Sequence, residues 1–549
     1  MKKLIFKILL ALLIIIILFV SAILIFRPCP KLVPSIRIKP YTILEHPLFW
    51  YATNFCPRYK PLPVSFINKA EAQTTAFDLE SLKNNFPDLA VAYDKINIFD
   101  AWKFVNKAAA NISAVVIGII DTGVDANHPE FAGVNLGILG LPAFQALEDR
   151  AEEFRSDLTA GHGTAVAGII GANNLSATQV LPVGSPQMNG IISGVTNQYF
   201  LESRTAKLIN FATFGNILDT LPPDAIVNMS FSHTDCIFLI IFCIKSEDFD
   251  DATNYYKDGF IAHPDKTFVI SAGNEGIDVG GSVPANINLN NTIIVAATNL
   301  NDERAVFRFL QSSNFGVGTD LSAPGIEVYA PAIQGKGNFP TFDSEVFNYS
   351  TAFEGTSASA PMVTGVAAIL KALEPEYQKY TSGLQLTPEK IKEILVASAD
   401  PINTGEFDKP LGKDCFNFNS AIHTGCRLNS HRASAWFFPP KAIQELQAPT
   451  TTSNSITLEW SLPSDFDFQN PDFDSYRIFR STSPNVTTNN TSISTITNQN
   501  QTSFTDANLT PNTTFFYKLF VFDKAGLSTG SNEVSSATIS VPRVPLCPL

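Results

Sequence analysis

Three short segments of the chain carry side chains suited to nucleophilic catalysis. Asp121 stands in Ile-Asp121-Thr-Gly, His162 stands in Gly-His162-Gly-Thr, and Ser357 stands in Gly-Thr-Ser357-Ala-Ser-Ala-Pro. A serine hydroxyl attacks a carbonyl carbon when a histidine accepts its proton and a carboxylate orients that histidine. Taken singly, each residue has an ordinary interpretation: a turn aspartate, a structural histidine and an N-cap serine. Their occurrence together predicts one catalytic site.

The sequence around each residue predicts the element that positions it. Residues 114–120 form a nearly continuous apolar run, typical of a parallel strand buried on both faces. Asp121 would then stand at the carboxyl end of a strand, where open α/β sheets bind ligands. His162 would open a helix of small residues, and its flanking glycines allow close backbone approach. Ser357 would lie at the N-terminus of another helix, where free N–H groups and the helix dipole favour negative charge.

The three segments resemble the signature regions of the subtilisin-like serine proteases, the subtilases, and occur in that family's order of Asp, His and Ser. The resemblance covers about residues 95–435. It implies that Ser357 forms the acyl-enzyme, that His162 acts as general base and then general acid, and that Asp121 orients His162. The implied activity is that of a serine endopeptidase, which hydrolyses peptide bonds of proteins, and the implied chemistry requires no cofactor.

A fourth block, 269–276, also matches the family and contains Asn274. The resemblance implies that the Asn274 side chain and the N–H of the catalytic serine stabilise the oxyanion. Gly273 and Glu275, on either side of Asn274, are assigned to substrate binding. The position of Glu275 is implied to lie near the pocket for the residue before the cleaved bond, where a carboxylate would favour Lys or Arg.

The block 225–230 resembles the strand that pairs with an extended substrate backbone, and this assigns Ser230 and Ser232 to substrate binding. A protein or peptide substrate would bind there as an additional strand. The family usually has glycine at the position of Ser232, so the groove is expected to differ there. Family members often bind structural calcium, but the loop 172–189, where one such site can lie, lacks a carboxylate cluster, and no metal ligand is assigned.

Two regions of different periodicity predict two folded domains. Strand-length apolar runs alternate with helical patterns over 94–440, which predicts an α/β domain with a mostly parallel central sheet. The resemblance implies the three-layer subtilisin-like fold for this domain. Over 445–542 apolar residues such as Ile456 and Leu458 alternate with polar ones, which predicts an all-β sandwich. This region resembles a fibronectin type III domain, with Phe515 at the position of that family's tyrosine corner.

The N-terminus predicts a transmembrane helix. Residues 1–26 combine three lysines with an apolar run of 19 residues, 8–26, close to the length that crosses a bilayer. Because no small-residue cleavage site is visible, an uncleaved signal anchor is favoured over a removed signal peptide. We therefore expect a single-pass protein of the cell membrane with an extracytoplasmic catalytic domain; the alternative is secretion after signal cleavage. Residues 27–93 would form a proline-rich lead or an atypical pro-segment, with eight prolines in 27–63.

Charge and cysteine content limit the partners of the chain. Its 549 residues include 38 Lys and Arg against 51 Asp and Glu, a net charge of −13, so it lacks the basic surface of a nucleic-acid-binding protein. Its seven cysteines fit an oxidising compartment, and Cys415/Cys426 and Cys236/Cys243 are close enough in sequence to pair. The apolar octet 236–243 either packs as a loop or is exposed for contact with a substrate, partner or membrane.

Two other classes of protein fit parts of the sequence. An adhesion or receptor protein with an inactive subtilase fold is disfavoured, because none of the three catalytic residues is replaced. A hydrolase of esters or lipids is disfavoured, because the Gly-x-Ser-x-Gly motif of that class is absent around Ser357. The sequence therefore favours a serine endopeptidase held at a membrane.

Overall fold

The structure is a computed structural model. The residues it describes are 87–108, 113, 115–121, 124–125, 128, 131, 136–138, 161–171, 191–195, 214, 218–219, 221–232, 247–307, 311–331, 349–381, 383–402 and 426–540. All of them belong to one compact unit, Phe77–Leu549. The expected anchor at 1–26, the loop 172–189 and the apolar octet 236–243 lie outside the described residues, as does nearly all of the expected lead at 27–93.

The first part of the described chain alternates strands and helices. The strands are β1 Ile117–Asp121, β2 Leu136–Ile138, β3 Ile191–Val195, β4 Ile226–Met229, β5 Thr267–Ser271, β6 Thr292–Thr298, β7 Leu321–Pro324, β8 Val328–Pro331, β9 Tyr349–Phe353, β10 Asp400–Pro401 and β11 Cys426–Arg427. The helices are α1 Pro87–Lys95, α2 Ile98–Ala108, α3 His162–Gly171, α4 Glu247–Ala262, α5 Thr356–Ala372, α6 Glu374–Tyr380, α7 Pro388–Ala397 and α8 Ser430–Ala435.

The central sheet of this region is mostly parallel, as expected. Its strand order is β10-β11-β7-β6-β5-β4-β1-β3-β2. Neighbouring strands run parallel except for the antiparallel pair β10 and β11. Strand residues alternate between two apolar cores, one on each face: Ile119 packs with α3 and α5, whereas Ile120 packs with α4. Burial on both faces explains why β1 is apolar until it ends at Asp121.

The second part of the described chain is a two-sheet sandwich. Its strands are β12 Gln444–Thr451, β13 Ser455–Ser461, β14 Phe473–Ser481, β15 Thr491–Ile496, β16 Ser503–Ala507, β17 Thr514–Asp523, β18 Ser528–Gly530 and β19 Val534–Ala537, with a short helix, α9 Phe466–Gln469. One sheet contains β12, β13 and β16, the other contains β14, β15, β17, β18 and β19, and the strand pairs within both are antiparallel. Ile456 and Leu458 are buried between the sheets, as their alternation predicts.

The sandwich packs directly on the α/β region through aromatic rings. The ring of His431 in α8 lies 5.5 Å from Phe104 of α2 and 4.9 Å from Phe468 of α9, measured between ring centroids. Beside these rings, Lys107 Nζ lies 2.8 Å from an Asp465 carboxylate oxygen. The junction thus combines an apolar cluster with an exposed ion pair, and the exposed pair contributes little to stability.

The predicted anchor and most of the cysteines lie outside the described residues. Among the described residues no single helix is both long and apolar enough to cross a bilayer; α5 and α6, bent by 51° from each other, pass together on length and composition alone. Cys426 is disulfide-bonded, and the other six cysteines lie outside the described ranges.

Candidate active site

Asp121 and His162 meet at the carboxyl end of β1. Asp121 is the last residue of that buried strand, between the parallel strands β3 and β4. His162 is the first residue of α3 and follows Gly161, whose φ of +78° suits glycine. His162 Nδ1 lies 2.7 Å from Asp121 Oδ1, with the carboxylate nearly fully buried. When Nδ1–H donates to this carboxylate, Nε2 becomes the proton acceptor of the ring.

Close packing holds the histidine and its helix in place. The His162 ring makes an edge contact with Phe353, with ring centroids 5.5 Å apart. Two residues along α3, Thr164 Oγ1 accepts a hydrogen bond from the Asp125 N–H at 2.9 Å. Gly168 lies against the Pro331 ring so closely that a Cβ there would be 2.2 Å from two ring carbons. The small residues of this motif therefore let α3 approach β8.

Ser357 is the second residue of α5, and the whole helix is buried. Gly355, the residue directly before α5, has a φ of +117°, a backbone conformation that favours glycine. First-turn N–H groups have no acceptor within their own helix, so the Ser357 N–H lies at the positive end of the helix dipole. The Ser357 hydroxyl donates to the Ser230 carbonyl at 2.9 Å.

Asn274 lies beside the N-terminus of α5 with its amide oriented by Thr356. Asn274 Oδ1 accepts hydrogen bonds from Thr356 N at 2.9 Å and from Thr356 Oγ1 at 3.0 Å. A Cβ on Gly355 would lie 3.2 Å from Asn274 Nδ2 and 3.6 Å from Ser357 N. Two hydrogen-bond donors, Asn274 Nδ2 and the Ser357 N–H, thus lie close to Gly355. Two such donors directed at one oxygen atom stabilise an oxyanion.

The turn that carries Asn274 is built around Asn314, a residue that the sequence analysis missed. Asn314 Oδ1 accepts from the Glu275 N–H at 3.1 Å, and Asn314 Nδ2 donates to Glu275 Oε2 at 2.9 Å. Glu275 Oε2 also accepts from the Asn274 N–H at 2.9 Å. Gly273 has a φ of +102°, and a Cβ there would lie 2.3 Å from Asn314 Nδ2. Glycine is therefore required at 273 by the turn itself.

The residues assigned to substrate binding lie at the end of β4 and in the turn that carries Asn274. Ser230 directly follows β4 and touches Ser357 through its carbonyl, whereas Ser232 is half-buried two residues further on. Glu275 is exposed, with one carboxylate oxygen engaged by the turn. Within the described part of the chain, no group of three or more His, Cys, Asp or Glu side chains is placed to hold a metal ion.

Comparison with known proteins agrees with this geometry. The model of the subtilase family, peptidase S8, matches residues 113–417, and that of the fibronectin type III domain matches 440–537. The chain therefore belongs to the subtilase family and carries a C-terminal fibronectin type III domain.

Its relatives include fungal proteases of that family. The chain is 26% identical over 311 residues to the subtilisin-like serine protease pepC of Aspergillus niger, which covers 55% of this chain and 49% of the relative. It is 32% identical over 258 residues to subtilisin-like protease 2 of Arthroderma otae, which covers 47% and 49%. The chain thus spans about half the length of these relatives. Among solved structures, a lanthipeptide protease matches with 18% identity and a TM-score of 0.44, covering 66% of this chain and 99% of that one.

Proposed function

We propose that the chain is a serine endopeptidase in which Ser357 is the nucleophile, His162 the general base and Asp121 the residue that orients His162. The observation that carries the proposal is the 2.7 Å contact between His162 Nδ1 and Asp121 Oδ1 at the carboxyl end of β1. This contact leaves Nε2 to accept a proton. Ser357, at the N-terminus of a buried helix, is the hydroxyl that would supply it.

The reaction proceeds through an acyl-enzyme. The Ser357 hydroxyl turns from the Ser230 carbonyl toward His162 Nε2, gives up its proton, and its oxygen bonds to the substrate carbonyl carbon. The carbonyl oxygen becomes an oxyanion and accepts from Asn274 Nδ2 and the Ser357 N–H. His162 then gives the proton to the leaving amine as the C–N bond breaks. A water molecule hydrolyses the ester by the same steps and restores the Ser357 hydroxyl.

The substrate would be a protein or peptide bound as an extended strand beside Ser230 and Ser232, with main-chain hydrogen bonds that hold it and pockets that select side chains. Glu275 would favour a basic residue before the cleaved bond through its exposed carboxylate. Cleavage of peptide libraries tests the binding mode and the preference for a basic residue. A strand-bound substrate must extend on both sides of the cut, and the cleaved sequences show which residue precedes it. A Glu275→Gln variant that keeps the wild-type cleavage pattern would remove Glu275 from the specificity.

A substitution pair in one helix tests the proposed activity. Ser357→Ala removes the nucleophile, whereas Ser359→Ala removes a buried hydroxyl two residues along that donates to the carbonyls of Ala323 and Pro324. We expect the wild-type chain and Ser359→Ala to cleave a peptide library, and Ser357→Ala to leave it intact with a normal unfolding midpoint. Cleavage by folded Ser357→Ala would contradict the proposal.

We also propose that the N-terminal segment 1–26 anchors the protein in the cell membrane with the catalytic domain outside the cytoplasm. The proposal is supported by the apolar run 8–26 and the three lysines before it. Mass spectrometry of the mature N-terminus distinguishes an uncleaved anchor from a secreted chain. Added protease acting on intact cells should degrade the catalytic domain if it lies outside.

A further inference from the structure

A buried asparagine lies in the centre of the parallel sheet, behind the nucleophile. Asn228 is the third residue of β4, is fully buried, and has apolar neighbours on its own strand. Its side chain lies on the same face as Ile226, two residues earlier, which packs into the core that contains α5. A buried amide without hydrogen-bond partners is strongly destabilising, so the partners of Asn228 matter.

Those partners connect the strand to the helix that carries Ser357. Asn228 Nδ2 donates to Ser230 Oγ at 2.9 Å, and Asn228 Oδ1 accepts from Thr364 Oγ1 at 2.8 Å. The Thr364 hydroxyl also lies 3.0 Å from the Ala360 carbonyl of its own helix. Ser230, Asn228 and Thr364 are all fully buried.

The contacts close a ring between β4 and α5. Thr364 follows Ser357 by seven residues, which is about two helical turns, so both side chains project from the same side of α5. At the far end of the ring, the Ser357 hydroxyl donates to the Ser230 carbonyl at 2.9 Å. The helix is therefore joined to the strand at its first turn and again two turns later, and the Asn228 amide bridges the two points.

We infer that Asn228 and Thr364 are positioning residues for the reaction: they hold the first turn of α5 and the Ser230 carbonyl in the geometry that attack by Ser357 requires. The inference rests on the proposed function. A leucine at 228 and a valine at 364 would fill similar space, and replacement of both partners of a buried hydrogen bond by apolar groups can be nearly neutral. Stability alone therefore does not account for the pair. A misplacement of about 1 Å can lower a rate about a hundredfold.

Two variants that differ by one hydroxyl test the inference. Thr364→Ser keeps the donor to Asn228 Oδ1, whereas Thr364→Ala loses it, and both lose the same methyl group. We expect the rate of fluorophosphonate acylation at Ser357, and kcat on a peptide, to be at least about tenfold lower in Thr364→Ala than in Thr364→Ser, with a smaller change in KM. Equal acylation rates and equal kcat in the two variants would overturn the inference.

A control separates positioning from stability. Thr292 is another fully buried threonine, whose hydroxyl donates to the Ile287 carbonyl at 3.0 Å and accepts from the Leu289 N–H at 2.7 Å. Thr292→Val should lower the unfolding midpoint without slowing acylation. If it slows acylation as much as Thr364→Ala does, the effect is a general loss of stability and the inference is wrong. A wild-type chain that takes up no label would refute the proposed function itself, and this inference with it.

Discussion

The contact between Gly168 and Pro331 decides whether Gly168→Ala should stabilise or destabilise the protein. Gly168 lies in the interior of α3, the helix that His162 begins. In a helix interior, alanine is more favourable than glycine by about 1 kcal/mol, so helix propensity alone predicts that Gly168→Ala stabilises the protein. A Cβ at this position would, however, lie 2.2 Å from Cδ and Cγ of Pro331.

The clash outweighs the gain in propensity. Non-bonded carbon atoms are normally about 3.5–4.0 Å apart, so α3 and β8 must separate by more than about 1 Å to admit the methyl group. Such overpacking typically costs about 1–3 kcal/mol. After the propensity gain, the free energy of unfolding should fall by up to about 2 kcal/mol. Because His162 moves with α3, kcat/KM should fall about a hundredfold.

Denaturant unfolding measures the loss of stability in Gly168→Ala, and peptide hydrolysis measures the loss of kcat/KM. A second substitution provides the control. Pro331→Ala removes the two ring carbons, so Gly168→Ala should cost less stability and less activity in that background than in the wild type. This non-additivity is expected because the two residues touch. A Gly168→Ala protein that is more stable than the wild type and fully active would refute the described packing of α3 on β8.

Three further predictions concern the oxyanion donor and the titratable groups near the domain junction. Asn274→Ala should lower kcat about 10²–10³-fold with a smaller change in KM, because it removes the Nδ2 donor; an unchanged kcat would contradict the assigned role. Burial lowers the pKa of His431 to about 4, from 6.5. The unfolded chain therefore binds this proton at higher pH than the folded chain, and up to about 3 kcal/mol of stability should be lost as pH falls from 6.5 to about 4. The free energy of unfolding of His431→Phe, measured with urea, should depend less steeply on pH over that interval than that of the wild type. An equally steep pH dependence would rule out His431 as its source. Burial raises the pKa of Asp472 to about 7, from 3.8, so the folded chain binds this proton more tightly and stability should fall as pH rises from about 4 to about 7. Burial also raises the pKa of Asp523, beside Asp472, to about 8, so Asp472→Asn should reduce that fall rather than abolish it. A fall of unchanged size would show that Asp472 does not contribute to it.

The residues proposed to carry the chemistry are predictable from sequence because each stands at the end of an element with a local signature. Asp121 follows an apolar run that is buried on both faces, and β1 ends there. His162 and Ser357 lie in the first turns of helices of small residues, each of which follows a glycine with positive φ. Such signals are local, so a single sequence contains them, and the predicted parallel sheet is confirmed by the observed strand order.

The contacts that hold these residues are not local, and the sequence analysis missed them. Thr356 orients Asn274 across 82 residues of chain, and Thr364 reaches Asn228 across 136. Asn314 builds the turn around Asn274 from 39 residues beyond Glu275. No periodicity or motif pairs such positions, because the fold alone brings them together.

Some expectations stay predictions. The specificity assigned to Glu275 is one, since its carboxylate takes part in the turn as well as being exposed. The membrane anchor at 1–26 and the pairing of Cys415 with Cys426 involve residues outside the described ranges, and the loop 172–189, to which no metal ligand is assigned, also lies outside them. The junction at His431 was not anticipated, because aromatic residues in α2, α8 and α9 are distant in sequence.

The most direct test of the central claim is to identify the residue that a fluorophosphonate probe modifies in the full-length protein. The geometry at the N-terminus of α5 predicts a single adduct on Ser357, lost in Ser357→Ala, greatly slowed in His162→Ala and retained in Ser359→Ala. Peptide mapping by mass spectrometry reads the modified residue directly. A folded wild-type chain that stays unmodified, or that carries the adduct on a different serine, would contradict the account.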